Sequence, residues 1–224
     1  MDLNKTNSRR NFMGLLAAGT ATGLTSFSLP VEATTPINRK LVAGAEDWIK
    51  KIKGTHRLVI DASEPHGGLP IIWTWVHYYT NNQTDAPDSD ITGVLVLRHG
   101  GICYAMNDEV WKKYSFGEVF NVTDNLTGKP ALRNPGYEPK EGDFPVAAIQ
   151  GIKDLQKRGA LVGVCDLAIT VKSGAVAKAT GGDAEKIKEE WIKGLHPDIQ
   201  VVPSGVWALG RAQENGCGYI YAGG

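Results

Sequence analysis

What this chain lacks narrows its function first. Its 224 residues hold only three cysteines, Cys103, Cys165 and Cys217. No two of them stand in the C-x-x-C spacing of a redox pair or zinc ribbon, and an odd count leaves at least one thiol outside any intramolecular disulfide. Net charge is also missing: 24 basic residues balance 24 acidic ones, which argues against a nucleic-acid or polybasic membrane partner and for a small molecule or another protein. Ser204 sits in no G-x-S-x-G frame and has no matched triad, so a hydrolase reading has little behind it. No apolar run suits a stable membrane anchor, because the N-terminal one is short and diluted by Gly, Thr and Ser.

That N-terminal stretch has a pattern of its own. "NSRRNFMGLLAAGTATGLTSFSLPVEA" carries the pair Arg9-Arg10, then Asn11, Phe12 and Met13, a weakly apolar run, and a small-residue end at Val31-Glu32-Ala33. This order predicts a twin-arginine secretory signal over residues 1–33, cleaved after export. Such signals serve the bacterial Tat translocation machinery, which moves proteins already folded, so the expected location is the periplasm or another extracytoplasmic space. Cleavage after Ala33 leaves 224 − 33 = 191 residues, enough for one well-cored domain over 34–224 and short for two.

The remainder alternates buried strands with helices. "RKLVAGAEDWIKKIK" (39–53) has helical spacing, and "HRLVIDAS" (56–63) and "ITGVLVLRHG" (91–100) read as strands buried on both faces. Between them lies the helical "LPIIWTWVHYYTNN", whose aromatics and His77 fit a core or a subunit interface. "GICYAMNDEVWKKYSFG" leads from a loop into a helix capped by Asn107 or Asp108. Residues 121–144, rich in Gly, Pro, Asn and Asp, predict a long surface loop or lid, and "PVAAIQGIKDLQKRGA" (145–160) an amphipathic helix ending on Gly159. Then come strand "LVGVCDL", a helical region strongest at 183–195, strand "IQVVPSG", helix "VWALGRAQENG" and strand "CGYIYAG". The order predicts an α/β three-layer sandwich with a mainly parallel sheet of about five strands.

Ligands of such sheets bind outside the carboxyl ends of the strands. That rule gathers Glu64 and His66 after the first strand, His99 and Cys103 after the second, Cys165 and Asp166 after the third, and Ser204-Gly205 after the fourth. Cys165 is the candidate nucleophile: a helix N-terminus or a nearby histidine, His99 or His66, favours the thiolate that does the chemistry. An Asp166 carboxylate pointing at the sulfur would oppose it. The bland alternative is a buried core cysteine. Ser204-Gly205 opens a helix N-terminus able to take an anion, and Glu64, His66, His99 and Cys103 form the alternative pocket for a metal or small ligand. Cys217 is expected to pack.

The strands "LVIDAS" and "VLVLRHGG", the passage "GALVGVCDLAI" and the closing "IQVVPSGVWALGRAQENGCGYIYAGG" together resemble the DsrE/DsrF-like family, from about His56 to Tyr221. The resemblance implies a small α/β sulfur-relay protein, assembling as a homo- or hetero-oligomer, that takes sulfur from a donor protein and passes it to an acceptor. It implies that the cysteine after the third strand, here Cys165, carries a persulfide, and that His99 supports it. It names no cofactor.

Overall fold

A computed structural model describes residues 39–40 and 42–223; the expected signal at 1–33 lies outside the described residues. Five strands form one sheet: β1 (His56–Ala62), β2 (Ile91–Leu97), β3 (Leu161–Cys165), β4 (Ile199–Val202) and β5 (Gly218–Tyr221). Their spatial order is β4-β3-β2-β1-β5, and all neighbours run parallel. The architecture is α/β with helices on both faces of the sheet, as alternating apolar strands and helices dictate.

Chain order explains the layers. Strands β1 to β4 step in one direction, and their connections lay α2 (Leu69–Asn82), α3 (Asp108–Lys113), α4 (Phe116–Val119), α5 (Ile152–Lys157), α6 (Asp166–Thr180) and α7 (Ala184–Lys193) against one face. Strand β5 then returns to the far side of β1. A right-handed crossover must therefore put α8 (Gly205–Glu214) on the opposite face. It packs there beside α1 (Ala45–Ile49) over Val59, Val94, Val96 and Val202. Trp48 of α1 lies against Gly163, where a β-carbon would come within 2.8 Å of its ring.

Three expectations need correction. The helix expected over 145–160 forms only as α5, Ile152–Lys157. Gly151 passes so close to the preceding loop that a β-carbon there would fall 2.3 Å from Pro139 Cδ. The Ile152 and Lys153 N–H groups bond to the Gly136 and Tyr137 carbonyls instead of continuing a helix. The second strand ends at Leu97, not residue 100, because His99 turns to φ 45° and opens a 3-10 segment, His99–Ala105. The leading helix is confined to Ala45–Ile49.

The 121–144 stretch is a loop pinned to the body of the molecule. Asn134 donates to the Tyr104 and Met106 carbonyls at 2.9 and 2.8 Å. Arg133 holds the nearly buried Asp143 with two bonds of 2.8 and 2.6 Å. Val122, Ala131, Tyr137 and Phe144 enter the core.

Candidate functional site

Because all strands run parallel, their carboxyl ends lie along one edge of the sheet, and the candidate residues gather there. Cys165 is the last residue of β3 and the N-cap of α6, a fifteen-residue helix. Its Sγ accepts the Ala168 N–H at 3.2 Å. The sulfur thus satisfies one of the unpaired N–H groups at the head of the helix. The residue is 5% exposed. Asp166 Oδ1 stands 2.7 Å from Lys188 Nζ on α7, an ion pair that offsets the negative charge anticipated beside the sulfur.

The other two cysteines are held as thiols. Cys103 is fully buried, and burial first, then the Glu64 charge, pushes its pKa well up. Burial pushes Cys217 to about 11, partly opposed by Arg57. Among the described residues, no three His, Cys, Asp or Glu side chains group as a metal site, so Glu64, His66, His99 and Cys103 are not gathered as metal ligands.

Glu64 and His99 are brought together by a hydrogen bond between Oε1 and Nδ1. Gly100 makes room for it: a β-carbon at that position would fall 1.9 Å from Glu64 Oε2. Burial raises the Glu64 pKa, but the hydrogen bond and charge of His99, with Lys172 and His66 behind them, outweigh it and leave the carboxyl below its ordinary value. The pair faces solvent, with the His99 side chain 60% and the Glu64 side chain 40% exposed. His66 is held elsewhere, with Nε2 3.4 Å from the Tyr221 hydroxyl. His66 and His99 both carry left-handed backbone, φ 41° and 45°. Such strain in non-glycine residues collects at functional sites.

On the α8 side of the same edge lies a network that the sequence reasoning missed. Asp61, 2% exposed, accepts two hydrogen bonds from Arg98, Nε at 2.6 Å and Nη2 at 2.9 Å, and a third from the Tyr219 hydroxyl at 2.8 Å. Arg98 reaches across Gly205, where a β-carbon would fall 2.5 Å from Arg98 Cβ. Gly205 thus serves to seat an arginine. Ser204 caps α8, its Oγ accepting the Trp207 N–H at 3.1 Å. The signal for this network was an aspartate inside the apolar run "LVIDA", since a buried carboxylate demands a partner. Lys172 was also missed. It projects from α6, which packs on the His99–Ala105 segment, and burial lowers its pKa against the raising effect of Glu64 and Cys103.

A groove of about 490 Å³ opens at the other end of the sheet, lined by Trp48, Tyr137, Leu161 and Asp198, and a second of about 250 Å³ lies against the loop from Pro139 to Ile149. Neither is lined by Cys165, His99, Glu64 or Arg98. At the edge itself His99 and Glu64 are open to solvent, whereas Cys165 is nearly buried. Comparisons of this chain with protein-family models, with curated proteins and with solved structures give no match.

Proposed function

We propose that this protein is an exported sulfur carrier in which Cys165 accepts and donates sulfane sulfur. The observation that carries this reading is the Ala168 N–H bonded to Sγ at the head of α6. The Cys165 thiolate attacks the outer sulfur of a donor persulfide. The new S–S bond forms as the donor's S–S bond breaks, the donor leaves as its thiolate, and no net oxidation occurs. The terminal sulfur of the resulting persulfide then passes to an acceptor thiolate by the same exchange. His99, at the end of the neighbouring strand β2, is assigned the role of accepting the Cys165 proton. Arg98, fixed by Asp61, offers its remaining N–H groups to an anionic donor.

Export rests on the Arg9-Arg10 pattern and places the chemistry outside the cytoplasm, and the family resemblance of the closing strands supports the same class. A second reading has one observation in its favour, the 5% exposure of Cys165 against the far more open His99 and Glu64. In that reading the sulfur only caps a helix, and the edge binds a small ligand through Glu64, His99 and Arg98. Alkylation of the native protein separates the two. Labelling of Cys165 at a measurable rate, slowed by His99→Ala, supports the carrier; labelling only after denaturation supports the cap.

A further inference from the structure

The larger groove has a volume of about 490 Å³, within the range of about 300–1,000 Å³ that small-molecule sites occupy. It lies where β3 begins at Leu161 and where Asp198 leads into β4, at the opposite end of the sheet from Cys165. Its aromatic floor is preformed. Trp48 is wedged against Gly163, where a β-carbon would stand 2.8 Å from the ring. Tyr137 stacks on His196, with ring centroids 3.4 Å apart and an interplanar angle of 5°. Gln156 Nε2 donates to the Pro197 carbonyl at 3.1 Å, which ties the α5 wall to the turn before β4. A ligand entering here meets walls that are already ordered, so little side-chain entropy is lost on binding.

Charge decides what the groove fits. Lys51, Lys153, Lys157 and Asp198 line it. Lys153 and Lys157, both on α5, are already neutralised, the first by Glu138 and the second by Asp154 at 2.7 Å. Lys51 and Asp198 are exposed, and among the described residues neither takes part in an ion pair, with the other or with any third side chain. One ammonium and one carboxylate thus stand unpaired over an aromatic floor. A simple anion would be opposed by Asp198 and a simple cation by Lys51. A ligand that carries both charges satisfies both.

We infer that this groove binds a small zwitterion with an apolar body, the class of an α-amino acid with an apolar side chain, its carboxylate at Lys51, its ammonium at Asp198 and its side chain over Trp48 and Tyr137. The inference is independent of the chemistry at Cys165.

Calorimetric titration of the full chain with phenylalanine, phenylpropionate and phenylethylamine tests it. The expected result is one phenylalanine bound per chain. Phenylpropionate, which lacks the ammonium, and phenylethylamine, which lacks the carboxylate, should each bind about tenfold weaker or worse, the loss expected for one charge-assisted hydrogen bond. Lys51→Gln and Asp198→Asn should weaken phenylalanine by a similar factor, whereas Lys178→Gln, at an exposed lysine of α6 outside the groove, should leave it unchanged. Asparagine tolerates the left-handed backbone of position 198, φ 59°, so that variant removes the charge and keeps the turn. No saturable heat at millimolar phenylalanine, equal affinity for either analogue, or indifference to Lys51→Gln or to Asp198→Asn would overturn the inference.

Discussion

Removing Arg98 should cost more than removing Asp61, although both belong to one ion pair. In Arg98→Ala the Asp61 carboxylate, 2% exposed, keeps only the Tyr219 hydroxyl and cannot reach water. An uncompensated buried charge of this kind costs about 3 kcal/mol. In Asp61→Ala the guanidinium left behind is on a side chain 30% exposed, so hydration recovers part of the loss and the cost falls to about 2 kcal/mol. With a urea m-value of about 2 kcal/mol/M, the midpoints drop by about 1.5 M and 1 M. Removing both residues leaves no orphan charge, so the double variant should be less destabilised than the sum of the single ones, by a coupling of about 2 kcal/mol. Urea unfolding of the four proteins at neutral pH reads all of this. Equal costs, or additivity within about 0.5 kcal/mol, would refute the claim that the pair is a mutually dependent buried unit.

Other consequences are simpler to measure. Gly101→Ala sets a β-carbon 2.2 Å from the Ala62 carbonyl oxygen and should cost at least about 3 kcal/mol, whereas Gly210→Ala on α8, with nothing within 4 Å, should gain about 0.5–1 kcal/mol; thermal melts of both decide. His196, stacked on Tyr137, has its pKa lowered to about 4, by burial first, with Asp108 and Glu138 opposing. A base whose folded pKa is depressed is neutral in the fold, so its share of stability is complete above the unfolded value near 6.5 and is lost as pH falls toward 4. The urea midpoint should therefore drop between pH 7 and 5, and His196→Phe should flatten part of that slope; His77, also lowered by burial, contributes with the same sign. Cys165→Ala should cost about 1 kcal/mol by loss of the helix cap, and Cys165→Ser, which retains an acceptor for Ala168 N–H, should cost less.

The fold was legible because strand burial is written in composition. Runs such as "LVIDA", "GVLVL" and "LVGVC" have few polar residues because both faces are covered, and alternation with helices fixes a parallel sheet. Residues 145–151 misled because Val146, Ile149, Ile152 and Leu155 keep helical spacing. What decides there is a glycine pressed against a loop distant from it in space until the chain folds. The individual positions of Cys165, Glu64 and His99 follow from the strand ends; the pairing of Glu64 with His99 does not. Arg98, Lys172 and Tyr219 were hidden for one reason. Each acts across the sheet edge on a residue from another segment, and sequence spacing holds no trace of that distance. Asp166 shows the same limit, since its partner Lys188 stands on the following helix.

Intact-mass spectrometry of the native protein after exposure to a low-molecular-weight persulfide tests the central claim most directly. The expected spectrum shows one added sulfur atom on the wild type, removed by a reducing thiol and absent from Cys165→Ser, with Cys103 and Cys217 unmodified. An unchanged mass in a correctly folded protein, or sulfur added equally to Cys165→Ser, would contradict it.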